Sequence, residues 1–188
     1  MPRETMPRKT IKGASADNLA TEHVADSAVP IDKMNPGDAL AMMLDNQAGA
    51  INALTAALDN IEIAAMAAYG RLDGSDTGRL VYAGAGTSAR IGVQDGIELF
   101  PTFNWPHERV GFVIAGGRDA LLRAVENAED DPDAALRQLE AASIGKDDVV
   151  IGLAASGITP FTCAVVEQAR KAGALTIGIA NNADTALL

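Results

Sequence analysis

Residues 79–90 read RLVYAGAGTSAR, a short apolar run that ends in a glycine turn carrying two hydroxyl side chains. The apolar part, residues 79–83, is typical of a buried strand, and three similar runs follow at 110–115, 149–153 and 175–180. Between the runs, apolar periodicity predicts helices near 88–98, 118–126, 132–142 and 160–172. Strands that alternate with helices predict an α/β fold with a mainly parallel sheet in a three-layer αβα arrangement.

The sequence before this pattern divides into two parts. Residues 1–35 mix Pro, Lys, Thr, Ser and Asp without a sustained period, which predicts a flexible N-terminal arm. In residues 36–73, apolar side chains recur at intervals of three and four residues, which predicts an N-terminal helical segment. Gly49 and Gly70 are candidate breaks in it. Such a segment either covers its own domain, our preferred interpretation, or forms a dimer contact. Residues 74–188 then form the α/β domain.

Composition excludes several classes of function. The net charge of −10 argues against a nucleic-acid partner, because that affinity comes largely from clustered Lys and Arg. A single cysteine, Cys163, rules out an internal disulfide, and the two scattered histidines give no metal-ligand spacing. No apolar run is long enough to cross a bilayer, and the first residues lack an apolar signal stretch. We therefore expect a cytoplasmic protein without a membrane partner.

The glycine turn at 84–90 leaves two ligands to consider. Its pattern also fits a dinucleotide-binding fingerprint, which needs an acidic residue about 20 positions later, at the end of the second strand. That strand ends instead in Ala115-Gly116-Gly117. Without a carboxylate for the ribose, and with Thr87 and Ser88 inside the turn, a bound phosphate is favoured over a nicotinamide cofactor.

A second turn of the same character follows the third strand. Residues 154–160 read AASGITP, in which Ser156 and Thr159 precede a helix that begins at Pro160. In parallel α/β sheets, ligands bind beyond the carboxyl ends of the strands, where both turns are expected to lie. Ser and Thr are also the ordinary helix caps, but their repetition after two strands favours a phosphate site built from hydroxyl and backbone N–H groups.

Five segments together resemble a known family, the sugar isomerase (SIS) domain, and within it the N-acetylmuramic acid 6-phosphate etherases. The order and spacing of residues 78–88, 101–103, 114–117, 124–131 and 147–157 agree with that family. The resemblance implies a lyase that cleaves the D-lactyl ether of N-acetylmuramic acid 6-phosphate by elimination and water addition, in cell-wall amino sugar recycling. It implies no metal or organic cofactor, and a homodimer.

The resemblance also assigns the site residues. Glu98 matches the acid that protonates the departing lactate, and Glu129 matches the base. The phosphosugar-binding positions are those of the two turns: Gly86, Thr87, Ser88, Ser156, Gly157 and Thr159. Glu98 stands among apolar neighbours, from which we expect it to be buried. Glu129 lies in an acidic cluster and is singled out by the resemblance alone.

Several positions depart from the family pattern. Ala89 and Ile158 stand where the family usually has Gly and Arg, which leaves room for a different substrate. The sequence also ends before the fifth strand and the C-terminal helical region of the etherases, so we expect a C-terminally truncated form. Two alternatives remain open: a phosphosugar isomerase, which moves a proton at the same sugar carbon, and a non-catalytic sugar-phosphate-binding regulator.

Overall fold

The computed structural model describes residues 19–23 and 29–188, and these form an α/β fold. Its helices and strands, in chain order, are α1 (Pro36–Ala56), α2 (Leu58–Asp73), β1 (Leu80–Gly84), α3 (Gly86–Phe103), β2 (Val110–Ile114), α4 (Pro132–Ala142), β3 (Val149–Leu153), α5 (Pro160–Lys171) and β4 (Leu175–Ile179). All four predicted strands are present, with ends within one residue of the prediction. The predicted arm, residues 1–35, lies largely outside the described residues.

The four strands form one parallel sheet in the order β2-β1-β3-β4. The chain leaves β1 for β2 on one side and then crosses to β3 on the other, so the order reverses between β1 and β3. Gly84, the last residue of β1, pairs with Ile114 of β2 and with Leu153 of β3. The three strands therefore end side by side, at the point where open α/β sheets bind their ligands.

Helices cover both faces of the sheet, as the three-layer prediction requires. Val81 points into a core built with Phe161 and Val165 of α5 and with residues of α4. The next residue, Tyr82, points to the opposite face, where α3 packs. There α3 comes so close that a Cβ added to Gly96 would lie 2.7 Å from the Phe112 ring.

An ion pair joins β1 to β3 at the amino edge of the sheet. The Arg79 side chain donates to both carboxylate oxygens of Asp148, at 3.0 and 2.8 Å, and the Arg79 backbone N–H donates to the same carboxylate at 3.0 Å. Burial alone would raise the pKa of Asp148, but hydrogen bonds from Arg79 and the Gly145 backbone, with the Arg79 charge, outweigh it and lower that pKa. The pair fixes the relative position of the two strands that carry the turns.

The prediction of a helix near 118–126 is wrong. Gly116 and Gly117 just before this segment and Asn127 just after it have positive φ, so the backbone is left-handed on both sides of it. The segment holds a 3-10 turn, Gly117–Leu121, and then continues without a helix to residue 126, before a second 3-10 turn at Ala128–Asp130. The helices predicted at 132–142 and 160–172 are confirmed as α4 and α5.

The N-terminal helical segment is a helix pair that breaks at Ala57, and not at Gly49 or Gly70, which lie inside α1 and α2. Neither helix contains a buried residue, although α2 contacts β3 and β4 and Arg71 donates to the Gly173 carbonyl at 3.0 Å. That the segment covers its own domain therefore stays a prediction. Large apolar side chains along both helices are exposed, including Leu44 at 70% and Ile63 at 68%. None of the helices in the described part of the chain is long and apolar enough to span a membrane.

Candidate functional site

The turn after β1 leaves backbone donors at the start of α3 without a side-chain partner. The helix begins at Gly86 with Ala85 as its N-cap, and no side chain accepts from its first turn. Gly86 itself has a φ of +53°, in the left-handed region that glycine enters most easily. Thr87 is exposed and Ser88 is half-buried, and neither hydroxyl caps the helix. The turn therefore presents N–H groups, a positive helix end and hydroxyls to an anion.

The turn after β3 begins beside the first one and has a similar construction. Gly157 has a φ of +75° and is buried against Thr185. The Ser156 hydroxyl accepts from the Ile158 backbone N–H at 3.3 Å, which leaves its own proton free to be donated. Thr159 is the N-cap of α5 but makes no capping hydrogen bond through its side chain.

A cavity of about 240 Å³ lies at the first turn. It is bounded by that turn, by the end of β2 and by the segment 124–129. Gly86, Thr87 and Glu129 all line it, so residues more than 40 positions apart in sequence come together. The cavity is not lined by the remaining turn residues, Ser88, Ser156, Gly157 and Thr159.

Arg90, which was not among the predicted site residues, also lines the cavity. Its Nε donates to the Ala120 carbonyl at 3.0 Å, which holds the guanidinium against the segment after β2. Arg90 lies one helical turn after Gly86, on the helix that starts at the anion-binding turn. This position in the sequence could have identified it as a site residue. It provides a cation at the cavity, although Ile158 leaves none at the second turn.

Glu98 is not brought to the turns, and its expected burial is wrong. The inner face of α3 is formed by Ala89, Gly92 and Gly96, which are buried, while Glu98 is exposed. Glu98 comes 12 residues after Gly86 in α3, so it lies about 18 Å away along the helix axis, toward the amino edge of the sheet. Within one chain, therefore, the two glutamates implied by the resemblance do not share a cavity.

The site offers no metal centre. In residues 19–23 and 29–188, no group of three or more His, Cys, Asp or Glu side chains is arranged to hold a metal ion. The groups at the cavity are instead the backbone N–H donors of the turn and five side chains, those of Thr87, Arg90, Glu126, Asn127 and Glu129. This set suits a phosphorylated ligand that also undergoes proton transfer.

Comparison with known proteins gives a consistent result. Residues 62–170 match the family described as the glucokinase regulatory protein N-terminal SIS domain. An N-acetylmuramic acid 6-phosphate etherase of Deinococcus radiodurans is 46% identical over 172 residues, which cover 92% of this chain and 56% of that protein. The etherase of Pasteurella multocida is 52% identical over 110 residues, 58% of this chain and 36% of that protein. The chain thus spans about half the length of the first of these relatives.

Among solved structures, a phosphoheptose isomerase from Francisella tularensis has a TM-score of 0.59 with this chain. The similarity covers 82% of this chain and 79% of that protein, at 21% sequence identity. At this identity the likeness concerns the fold alone, which is the α/β fold expected from the sequence.

Proposed function

The chain belongs to the N-acetylmuramic acid 6-phosphate etherase family of SIS-domain proteins, and we propose that it cleaves the lactyl ether of N-acetylmuramic acid 6-phosphate. One observation carries the proposal: Glu129 shares a cavity with the uncapped, hydroxyl-bearing turn after β1. An anion-binding turn and a carboxylate at one cavity are what a phosphosugar lyase needs, since one holds the substrate and the other moves a proton.

Phosphate recognition is assigned to the two turns. The free N–H groups at the start of α3 and the hydroxyls of Thr87 and Ser88 donate to phosphate oxygens, and Arg90 adds a charge at the same cavity. Ser156 and Thr159 extend this set of donors along the edge of the sheet. The phosphate fixes the sugar so that its reacting carbons meet the carboxylates.

Glu129 is assigned the role of base. In the open-chain sugar, the C1 aldehyde acidifies the proton on C2, and Glu129 removes it. The electrons form a C2–C3 double bond as the C3–O bond to lactate breaks, and an acid protonates the departing oxygen. Water then adds at C3, and the proton returns to C2, which gives N-acetylglucosamine 6-phosphate and D-lactate.

Glu98 is assigned the role of acid, from a second copy of the chain. A general acid must lie within hydrogen-bond reach of the atom that it protonates, and about 18 Å along α3 separates Glu98 from its own first turn. In a homodimer, Glu98 of one chain can instead lie at the first turn of the other chain. The three helices α1, α2 and α3 each expose large apolar side chains, among them Ile51, Ile91 and Phe103, which are available for such an interface. Glu98 lies seven residues after Ile91, on the same side of α3.

The direct test is release of D-lactate from N-acetylmuramic acid 6-phosphate by the purified chain. We expect turnover by the wild type and a loss of at least about a hundredfold in Glu129→Gln, with phosphosugar binding retained. Glu140→Gln, an exposed glutamate of α4 outside the cavity, is the matched control and should match the wild type. A folded protein that releases no lactate refutes the proposal. Conversion between aldose and ketose without lactate release would identify an isomerase. Phosphosugar binding without any turnover would identify a regulator.

A further inference from the structure

A short N-terminal segment, residues 19–23, is attached to the site from outside the α/β domain. Leu19 is buried at 4% exposure, and a 3-10 turn follows over Ala20–Glu22. The Thr21 backbone N–H donates to Asn182 Oδ1 at 3.3 Å, and Asn182 Nδ2 donates to the Thr21 hydroxyl at 3.0 Å. These two bonds join positions 161 residues apart. The segment is therefore held by a specific, paired interaction.

The same amide also contacts the second turn of the site. Asn182 Nδ2 lies 3.1 Å from the Ser156 carbonyl and 3.4 Å from the Ala155 carbonyl. Asn182 is itself buried, at 6% exposure. A side-chain amide supplies both donors and an acceptor, which Asp or Leu at this position does not. One buried amide thus fixes the N-terminal segment to the turn that carries Ser156.

This connection orients Glu22. Because Asn182 Nδ2 occupies an acceptor position of the Thr21 hydroxyl, the hydroxyl proton is left to donate, and Glu22 Oε1 lies 3.4 Å away. Glu22 is exposed, so its second carboxylate oxygen is open to a ligand. A carboxylate repels phosphate but accepts hydrogen bonds from hydroxyl and amide N–H groups. The carboxylate is therefore suited to the neutral part of a phosphosugar.

We propose that residues 19–23 form a wall of the phosphosugar site, in which Glu22 accepts a hydrogen bond from a sugar hydroxyl or amide, with Thr21 and Asn182 as its positioning residues. This inference rests on the proposed function, because it takes the second turn as part of the ligand site. It adds a determinant of sugar specificity that is separate from phosphate recognition. The two contributions are distinguished by comparing a sugar phosphate with phosphate alone.

The test is calorimetric titration of the whole chain with N-acetylglucosamine 6-phosphate and, separately, with inorganic phosphate. We expect Glu22→Gln to weaken sugar-phosphate binding about tenfold and to leave phosphate binding unchanged. Thr21→Val should reproduce this loss and Thr21→Ser should not, because Ser keeps the hydroxyl. Because Ser also keeps the hydrogen bond with Asn182, the rescue shows that the Thr21 hydroxyl matters, and the comparison with inorganic phosphate shows whether it acts on the sugar. Glu140→Gln serves again as the control.

The outcomes separate the inference from the proposed function. Equal affinity of the wild type, Glu22→Gln and Thr21→Val for the sugar phosphate overturns the inference and leaves the etherase proposal standing. If the two variants bind inorganic phosphate more weakly by the same factor as the sugar phosphate, the inference is also overturned, because Glu22 would then act on the turn and not on the sugar. A wild-type chain that binds neither ligand overturns the proposed site and the inference together.

Discussion

Active sites shared between two copies of the chain should be restored by mixing two inactive variants. Glu98→Gln and Glu129→Gln each remove one carboxylate, and the separation of about 18 Å along α3 predicts that each site takes its two carboxylates from different chains. In a random mixture of equal amounts, half of the dimers are heterodimers. Each heterodimer has one site with both glutamates intact and one with neither. About a quarter of wild-type activity should therefore return.

The assay is D-lactate release from co-expressed, differently tagged chains, compared with each variant alone. The control mixes Glu98→Gln with the double variant Glu98→Gln/Glu129→Gln, which contains no intact Glu98 and should stay inactive. Activity in the mixed sample no higher than in the separate variants would refute the shared site. Size measurement must show dimers in every sample, so that loss of assembly is not mistaken for loss of chemistry.

Two further predictions concern the framework of the site. Asp148→Asn should lower the free energy of unfolding by about 3 kcal/mol in urea, because it breaks the pair with Arg79. Because folding lowers the pKa of Asp148, the stabilisation by this ion pair is fully present above the unfolded-state pKa of about 4 and is lost as pH falls through the folded-state pKa. A difference in unfolding free energy between the wild type and Asp148→Asn that stays unchanged at more acidic pH would contradict this argument. Gly157→Ala should lower the free energy of unfolding by about 3 kcal/mol, because the new Cβ collides with the Thr185 side chain at a position of positive φ. Gly86→Ala should lower it by only about 1 kcal/mol, because φ is positive there too but the new Cβ meets open space. Equal urea midpoints for the two variants would show that the contact with Thr185 does not matter.

Local pattern was sufficient for most of the fold. The strands are short apolar runs closed by glycine turns, and the amphipathic periods of α4 and α5 extend over three turns each, so neighbouring residues alone specify them. The helix predicted at 118–126 is wrong for a reason that local pattern does not contain. Its composition is compatible with a helix, but the positive φ of Gly116, Gly117 and Asn127 depends on how the chain returns over the end of β2.

The candidate site was predictable in part. The turn residues Gly86 and Thr87 follow directly from a strand and a helix start, and the resemblance singled out Glu129, which lines the same cavity. Glu98 was expected to be buried because its sequence neighbours are apolar. A helix buries one face only, however, and in α3 that face belongs to the small residues Ala89, Gly92 and Gly96.

The sequence by itself determined the α/β pattern and the two hydroxyl-bearing turns, because each depends on residues close together in the chain. Only the tertiary structure decided which distant residues meet. It brought Glu129 and Arg90 to one cavity, joined Thr21 to Asn182 across 161 positions, and left Glu98 at the far end of α3. These relations depend on strand order and helix direction, which are set by packing of the whole chain and not by any local pattern.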